Sequence, residues 1–234
     1  MSNSNHVSKK GQIFGLRIAI DGPAGAGKST VAKKLARNLR CKYVDTGAMY
    51  RAVAYAALNA AVPPEDTGSL SRLAETLNFG FCLTENEETR VYVNGRDASR
   101  EIRSPEVSRF VSLVAKVPGV RKHLTDKQRT MAVSGGVVME GRDIGTVVLP
   151  DAEYKFFITA TVEERARRRF LEASNQGHRI TPVEQLQEIE SRDKQDSSRE
   201  IAPLVPAPDA IVIDTTGKSP EQVVEMILAF VRGG

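Results

Sequence analysis

A glycine-rich segment, residues 22–29 with the sequence GPAGAGKS, has the residue types and spacing that can hold phosphate groups. It fits G-x-x-x-x-G-K-[ST], in which glycines let backbone N–H groups curl around phosphate oxygens. Lys28 can reach the β- and γ-phosphates of a nucleotide, and the Ser29 hydroxyl can ligate Mg²⁺. An apolar run precedes the segment and an amphipathic helical pattern follows it, so the partial positive charge of a helix N-terminus adds to the attraction. The sequence predicts a nucleotide-binding loop.

The plainest alternative for this segment is a glycine-rich turn between a strand and a helix that binds no ligand. A dinucleotide-binding fold requires G-x-G-x-x-G, and Gly22, Gly25 and Gly27 do not have that spacing. Neither switch segments nor a guanine-specific N-K-x-D motif is apparent, as a GTPase would need, and a motor or helicase would usually be larger. These points favour a small kinase with a second substrate.

The segment DTGAMYR, residues 45–51, follows the second predicted strand and could bind an anionic acceptor. Parallel α/β sheets bind ligands at the carboxyl ends of their strands, and this strand end lies next to the phosphate loop. Gly47 predicts a tight turn out of the strand, and Arg51 lies one helical turn further on. The alternative is an arginine on a helix surface.

A later apolar strand ends in EGRDIGT, residues 140–146. Glu140 stands where a phosphate-loop protein often keeps an acid that orders the water shell of Mg²⁺. Arg142 and Asp143 follow in a loop flanked by glycines, again at a strand end. The alternative is an ion pair between these two residues, although an exposed pair adds only about 0–1 kcal/mol to stability.

Two further clusters lie on predicted helices. Four arginines within residues 165–169 should repel one another, which makes sense if a polyphosphate neutralises them. The i, i+3, i+4 spacing places Arg165, Arg168 and Arg169 on one face, whereas Arg167 should be solvated. The alternative is a basic face balanced by three nearby acids, which are Glu163, Glu164 and Glu172.

The second of these clusters occurs within residues 192–199. Arg192, Asp196 and Arg199 fall on one helical stripe, where an acid between two anion binders could hold a sugar hydroxyl. The alternative is a ladder of salt bridges along the helix.

The elements that must position these residues alternate between strand and helix, which favours a doubly wound α/β core with a parallel sheet. Five short apolar runs are the strand candidates, at residues 16–20, 41–44, 137–139, 154–158 and 210–213. The rhythm changes at about residues 62–103, where Asn94-Gly95 is a strong hairpin signal, so a small antiparallel insert with some helix is expected.

Composition excludes several classes of protein. The chain has 234 residues, of which 41% are hydrophobic and 26% charged, so it is neither disordered nor fibrous. No apolar run is long enough to span a membrane, and the polar N-terminus lacks the apolar segment of a secretory signal. Cys41 and Cys82 have no metal-type spacing and are expected to be buried thiols in a reducing compartment, the cytoplasm.

From about Arg17 to Arg232, the chain resembles the bacterial cytidylate kinases, which are type I nucleoside monophosphate kinases. Adenylate and thymidylate kinases share the phosphate loop but not the whole set of motifs. The motifs that carry the resemblance are IDGPAGAGKST (residues 20–30), DTGAMYR (45–51), EGRDIGTVV (140–148), SRDKQDSSRE (191–200) and APLVPAPDA (202–210).

The resemblance implies a P-loop NTPase-type, adenylate-kinase-like fold. In it, a five-stranded parallel sheet carries an enlarged antiparallel monophosphate-binding insert and a short arginine-rich lid. The boundaries expected are a flexible N-terminal tail at 1–15, core segments at 16–61, 104–160 and 183–234, the insert at 62–103 and the lid at 161–182. A monomer fits the family.

The resemblance also assigns roles to residues, with Thr46 standing where many relatives have Ser and Glu140 where some have Asp. Lys28, Arg142 and Arg168 would be catalytic, and Ser29 would bind Mg²⁺ together with Glu140 through water. The ATP-binding residues would be Gly22, Pro23, Ala24, Gly25, Ala26, Gly27, Lys28, Ser29, Thr30, Arg165 and Arg168. The CMP-binding residues would be Thr46, Arg51, Ser112, Arg121, Arg142, Asp143, Arg192, Asp196 and Arg199.

The activity implied is the ATP-dependent phosphorylation of CMP and dCMP to CDP and dCDP, with Mg²⁺. A kinase for another small acceptor, such as a different nucleotide or shikimate, is the nearest alternative, and Arg121 and Asp143 are the residues that discriminate between them. A nucleic-acid-binding protein is a more distant alternative, suggested by a pI near 9.1. Aromatic residues make up 6% of the chain and Trp is absent, so a base-stacking platform is not expected.

Overall fold

Strands and helices alternate through most of the chain in the computed structural model, which describes residues 15–84, 89–175, 177 and 180–233. The strands are β1 (Arg17–Asp21), β2 (Lys42–Asp45), β3 (Phe79–Leu83), β4 (Thr89–Val93), β5 (Arg96–Asp97), β6 (Val137–Gly141), β7 (Tyr154–Thr159) and β8 (Ile211–Asp214). The α-helices are α1 (Lys28–Leu39), α2 (Thr46–Asn59), α3 (Thr67–Thr76), α4 (Pro105–Val114), α5 (Pro118–Ala132), α6 (Val162–Asn175), α7 (Pro182–Ser197) and α8 (Pro220–Gly233). A 3₁₀ turn covers Glu101–Arg103, and one π-helical turn covers Ile144–Val148.

The five-stranded parallel sheet that the sequence predicts forms the centre of the fold, and its strands lie in the order β2-β6-β1-β7-β8. Successive residues of β1 point to opposite faces of the sheet. Ile18 and Ile20 pack in the cluster that includes α1 and α8, whereas Ala19 packs with Met139 of β6 and Ala132 of α5 on the other face. Both faces are therefore covered by helices, which explains the continuous apolar runs of these strands.

The insert contains a separate antiparallel sheet in the order β3-β4-β5, which confirms the antiparallel prediction. Asn94 and Gly95 both have positive φ, 50° and 79°, as the tight turn between β4 and β5 requires. Helix α3 packs on α5, and α2 packs on α4 in an apolar cluster that joins the insert to the helices α2, α4 and α5.

The structure differs from the sequence predictions at four points. Gly47 lies inside α2 instead of forming a turn, and α7 ends at Ser197, so Arg199 lies beyond the helix. The π turn after Asp143 was not predicted. Cys82 is exposed and Cys41 half-buried, so the prediction of two buried thiols is wrong.

Some predicted segments are only partly covered. Of the predicted N-terminal tail, residues 1–14 lie outside the described residues, as do 176, 178 and 179 of the predicted lid. The described part of the lid consists mainly of α6, which packs against α7. Among the helices of the described residues, none is long and apolar enough to span a membrane.

Candidate active site

The phosphate loop connects β1 to α1 in a conformation that only glycines allow. Gly22 has φ of 146°, and a Cβ atom added there would lie 1.9 Å from the carbonyl oxygen of Ile158 in β7. Gly25 and Gly27 also have positive φ, 78° and 90°. In the described part of the chain, no side chain caps the start of α1 and no acid lies in its first turn. The N–H groups at this helix end therefore remain available to an anion.

Lys28 is buried within this loop, where its ammonium group donates a hydrogen bond to the carbonyl of Pro23 at 2.7 Å. Burial and the neighbouring Arg142 lower the pKa of Lys28 well below its ordinary value, whereas Glu140 opposes the shift. A nucleotide polyphosphate beside this amine would counteract the shift, since an opposite charge favours the ionised form.

Glu140, at the end of β6, is 3% exposed and faces the first turn of α1. Its carboxylate accepts hydrogen bonds from the hydroxyls of Tyr43 and Ser29. Burial and Asp45 raise the pKa of Glu140, whereas these hydroxyls and Lys28 oppose the shift. A hydroxyl and a carboxylate held together supply hard oxygen donors, which are the ligands that Mg²⁺ prefers.

An arginine cluster is formed by residues of α2, α5, the loop after β6, α7 and the chain just beyond α7, and its charges exceed those of its acids. Three aspartates face five arginines, leaving an excess of two positive charges. The pairs are Arg51–Asp45 at 3.0 Å, Arg142–Asp196 at 2.8 Å, Arg199–Asp196 and Arg121–Asp143, and Arg192 lies beside Arg142 and Asp196.

Part of the hydrogen-bonding capacity of this cluster has no partner among the described residues. The Nε atoms of Arg51, Arg192 and Arg199 are buried and have no hydrogen-bond partner among the described residues. Burial, followed by the charge of Arg142, lowers the pKa of Arg192 to about 9. Although burial alone would raise it, Arg142 and Arg199 lower the pKa of Asp196. Crowded guanidinium groups with unused donors fit a dianionic phosphate.

Arg121 of α5 and Asp143 form a buried ion pair at one side of the cluster. The Arg121 guanidinium also lies 5.7 Å from the centre of the Tyr50 ring. Burial raises the pKa of Asp143, and Arg121 opposes the shift. A carboxylate in this setting could accept a hydrogen bond from an exocyclic amino group. Ser112 lies half-buried on α4, and its role in base binding stays a prediction.

Helix α6 brings two arginines to the back of the phosphate loop. Arg165 is buried and donates to Asp193 of α7 at 3.0 and 2.6 Å and to the carbonyl of Ala24 at 3.2 Å. Arg168 donates to the Thr215 hydroxyl at 3.0 Å and to the carbonyl of Ala26 at 3.4 Å. Both residues contact the backbone of the phosphate loop. Their roles in ATP binding stay predictions.

Acids balance much of the charge of α6 in this structure. Glu164 bonds to both Arg167 and Arg168, and Glu172 pairs with Arg169 at 2.8 Å. The Arg167 side chain is 60% exposed, as predicted. On the outer side of α6, arginines are therefore paired with nearby acids, as the alternative interpretation of a balanced basic face expects.

Two polar residues of the site were not identified from the sequence. Tyr43 donates to Glu140, and Asp21, the last residue of β1, accepts hydrogen bonds from the backbone beyond Asp143. Asp21 ends an apolar run directly before the phosphate loop, and that position was the available signal. Nothing in the pattern around Tyr43 distinguishes it from an ordinary strand residue.

The phosphate loop on a parallel sheet and the adjoining arginine cluster together define a P-loop kinase. The fold is shared with an uncharacterized protein from Eubacterium ventriosum, with a TM-score of 0.52 and 13% identity over 94% of this chain and 99% of that one. Residues 18–233 match the family model described as cytidylate kinase.

Two relatives are similar to the chain over nearly its full length. The cytidylate kinase of Pelotomaculum thermopropionicum is 54% identical over 217 residues, which cover 93% of this chain and 96% of that protein. The cytidylate kinase of Desulforamulus reducens is 52% identical over 217 residues, which cover 93% of this chain and 97% of that protein. The chain belongs to the cytidylate kinase family.

Proposed function

We propose that this chain transfers the γ-phosphoryl group of ATP to the phosphate of CMP or dCMP, forming ADP and CDP or dCDP. The observation that carries the proposal is the arginine cluster beside the phosphate loop, with its excess charge and three buried Nε donors without partners among the described residues. Membership of the cytidylate kinase family supports the choice of cytidine nucleotides as acceptors.

The chemistry needs positioning and charge neutralisation more than covalent help. The acceptor phosphate is already anionic, so its oxygen can attack the γ-phosphorus in line without a general base. Lys28 is proposed to hold the β- and γ-phosphates, and Arg142 to stabilise charge between acceptor and donor. Arg168 is proposed to approach the transferring group from α6, and its contacts behind the phosphate loop support this role.

The donor nucleotide is proposed to bind residues 22–30 together with Arg165. The acceptor phosphate is proposed to bind Arg51, Arg142 and Arg199, which pair with Asp45 or Asp196 in the structure. Further acceptor contacts are proposed at the base through Ser112, Arg121 and Asp143, at the ribose through Arg192 and Asp196, and in the phosphate pocket through Thr46.

Mg²⁺ is proposed as the cofactor, held by Ser29 directly and by Glu140 through water. Among the described residues, no group of three or more His, Cys, Asp and Glu could hold a metal ion. Mg²⁺ takes most of its ligands from water and substrate phosphates and needs few from the protein. When bound, the ion neutralises charge on the β- and γ-phosphates. Ser29 and Glu140 are proposed to orient the ion and the phosphates, and the hydrogen bond from Tyr43 orients Glu140.

Closure over the substrates, oligomeric state and cellular location complete the proposal. The insert at 62–103 and the lid at 161–182 are proposed to close over the substrates and exclude water, which would otherwise hydrolyse ATP. A monomer in the cytoplasm is proposed, and two free cysteines are consistent with a reducing compartment.

The test is ADP release from Mg·ATP in the presence of separate acceptors, namely CMP, dCMP, UMP, AMP, dTMP and shikimate. We expect fast turnover with CMP and dCMP and slow turnover with the others, because a site built to bond an amino group rejects analogues that lack it. Equal turnover with UMP would remove Asp143 from base selection. Turnover with shikimate alone would overturn the proposed acceptor.

A further inference from the structure

Asp21 connects the phosphate loop to the loop that carries Arg142 and Asp143. It is the last residue of β1, directly before Gly22, and it is 4% exposed. One carboxylate oxygen accepts a hydrogen bond from the backbone N–H of Ile144 at 2.8 Å, and the other accepts from the N–H of Gly145 at 2.7 Å. Both oxygens of this buried carboxylate are therefore used by one short segment.

That segment is the π-helical turn Ile144–Val148, which follows Asp143 directly. The turn closes through hydrogen bonds from the N–H of Val148 to the carbonyl of Asp143 at 3.2 Å and from the N–H of Leu149 to the carbonyl of Ile144 at 2.7 Å. The first N–H groups of a helical turn have no partner within it, and a carboxylate is a favourable acceptor for them. Asp21 therefore fixes the start of the turn and the direction in which the chain leaves β6.

The fit around this contact leaves little space for adjustment. A Cβ atom added at Gly145 would lie 3.3 Å from the side chain of Lys155 and 3.4 Å from a carboxylate oxygen of Asp21. The absence of a side chain at Gly145 thus allows its N–H group to approach Asp21 closely. Displacing either partner would move the backbone that holds Asp143.

The charges nearby agree with this arrangement. Burial raises the pKa of Asp21 to about 6, the two N–H donors oppose the shift, and the carboxylate of Asp143 acts in the same direction as burial. Asp21 and Asp143 are thus close enough to repel, and separate partners hold each in place, the π turn for Asp21 and Arg121 for Asp143.

We propose that Asp21 is a positioning residue for the acceptor: its carboxylate ties the phosphate loop to the π turn and thereby fixes Arg142 and Asp143 against the bound nucleoside monophosphate. The inference rests on the proposed function, since it assigns the acceptor's phosphate and base to those residues. The selectivity of the acceptor site thus depends on Asp21, which lies on the donor side and touches neither substrate.

The test compares Asp21→Asn with the wild type and with Asp126→Asn, a matched control at an exposed position on α5. Asparagine keeps the shape but offers one acceptor oxygen, so one N–H of the turn meets an amide donor instead. We expect kcat/KM for CMP to fall by about 10- to 150-fold, the range for losing one hydrogen bond to a charged group. The Kd for ATP, measured by calorimetry, should change by less than about threefold.

Base selectivity distinguishes positioning from general loosening of the structure. The ratio of kcat/KM for CMP to that for UMP should fall in Asp21→Asn by at least about threefold, because Asp143 no longer has a fixed direction. An unchanged ratio, or an equal loss of ATP affinity, would overturn the proposal. Wild-type protein that fails to phosphorylate CMP would instead refute the proposed function, so the two failures are distinguishable.

A second variant covers the case in which Asp21→Asn does not fold. Gly145→Ala leaves the carboxylate intact and presses the new methyl group against Asp21 and Lys155. Gly145 does not have a positive φ, so the substitution adds no backbone strain. The same fall in CMP selectivity with retained ATP affinity is expected, and wild-type selectivity in a folded Gly145→Ala would contradict the proposal.

Discussion

Replacing Arg199 with Ala should impair the use of CMP while leaving ATP binding nearly intact. The Arg199 side chain is only 8% exposed, donates to Asp196 and keeps a buried Nε without a partner among the described residues. Asp196 retains a second partner in this variant, because Arg142 donates to it at 2.8 Å. The substitution therefore removes a donor for the acceptor phosphate without leaving a buried carboxylate unpaired.

The magnitude follows from the kind of contact that is lost. A hydrogen bond to a charged group contributes about 1.5–3 kcal/mol, and each 1.4 kcal/mol or so corresponds to tenfold. The value of kcat/KM for CMP should therefore fall by about 10- to 150-fold. Arg199→Lys should recover part of this loss, because lysine restores the charge but not the planar pair of donors.

The assay is steady-state ADP release at saturating ATP with varied CMP, accompanied by calorimetric titration with ATP. Arg109→Ala is the matched control, because Arg109 is exposed on α4 outside the arginine cluster. CMP kinetics equal to those of the wild type in Arg199→Ala would remove Arg199 from the phosphate site. A loss of ATP affinity as large as the loss in kcat/KM would show that the variant disturbs the whole cleft.

Three further predictions concern stability. Gly22→Ala should lower the free energy of unfolding by about 2–6 kcal/mol, because its Cβ atom would lie 1.9 Å from the Ile158 carbonyl oxygen and its φ is 146°; urea denaturation measures this. Tyr43→Phe should lower it by about 1–3 kcal/mol, because the buried Glu140 loses a hydrogen-bond donor. Burial raises the pKa of Asp21 from 3.8 to about 6, so the folded state takes up a proton more readily than the unfolded state. The wild type should therefore gain up to about 3 kcal/mol relative to Asp21→Asn as the pH falls from about 7 to about 4.

Each of these predictions has a control and a result that would contradict it. Gly233→Ala meets open space, and stability losses of equal size in both glycine variants would refute the steric argument. The half-buried Tyr92 of the insert provides the control for the hydroxyl, and Tyr92→Phe should cost less than Tyr43→Phe. A stability difference between the wild type and Asp21→Asn that does not vary with pH would show that the two N–H donors fully offset the effect of burial on the pKa of Asp21.

The elements of the fold were predictable because their signals are local. Apolar runs of three to five residues mark the parallel strands, and Asn94-Gly95 marks the hairpin. Thr181 caps the start of α7, and it and Glu184 each accept a hydrogen bond from the other's backbone N–H, a pattern set by residues three positions apart. Such signals need only neighbouring residues, so the sequence contains them in readable form.

The partners of the site residues were not predictable, because they lie far apart in the chain. Arg142 and Asp143 are adjacent, and a pair between them was a reasonable alternative. Instead, Arg142 bonds to Asp196, 54 residues away, and Asp143 bonds to Arg121, 22 residues away. The alternative of a local ion pair is therefore wrong.

The π turn has a similar explanation. The N–H groups of Ile144 and Gly145 bond to the carboxylate of Asp21. Asp21 precedes Ile144 by 123 residues. Gly47 also has a reason that only the structure shows, because a Cβ atom there would lie 3.2 Å from Asp45 and 3.3 Å from Arg51. Its smallness permits the Asp45–Arg51 contact, and no turn is involved.

The central claim is tested most directly by following the γ-phosphoryl group itself. ATP radiolabelled in the γ-phosphate is incubated with the wild-type chain, Mg²⁺ and CMP, and the nucleotides are separated by chromatography. The proposed function predicts that the label appears in the β-phosphate of CDP, and that Lys28→Ala abolishes the transfer. Label released as inorganic phosphate, with CMP unchanged, would contradict the assignment of CMP as the acceptor.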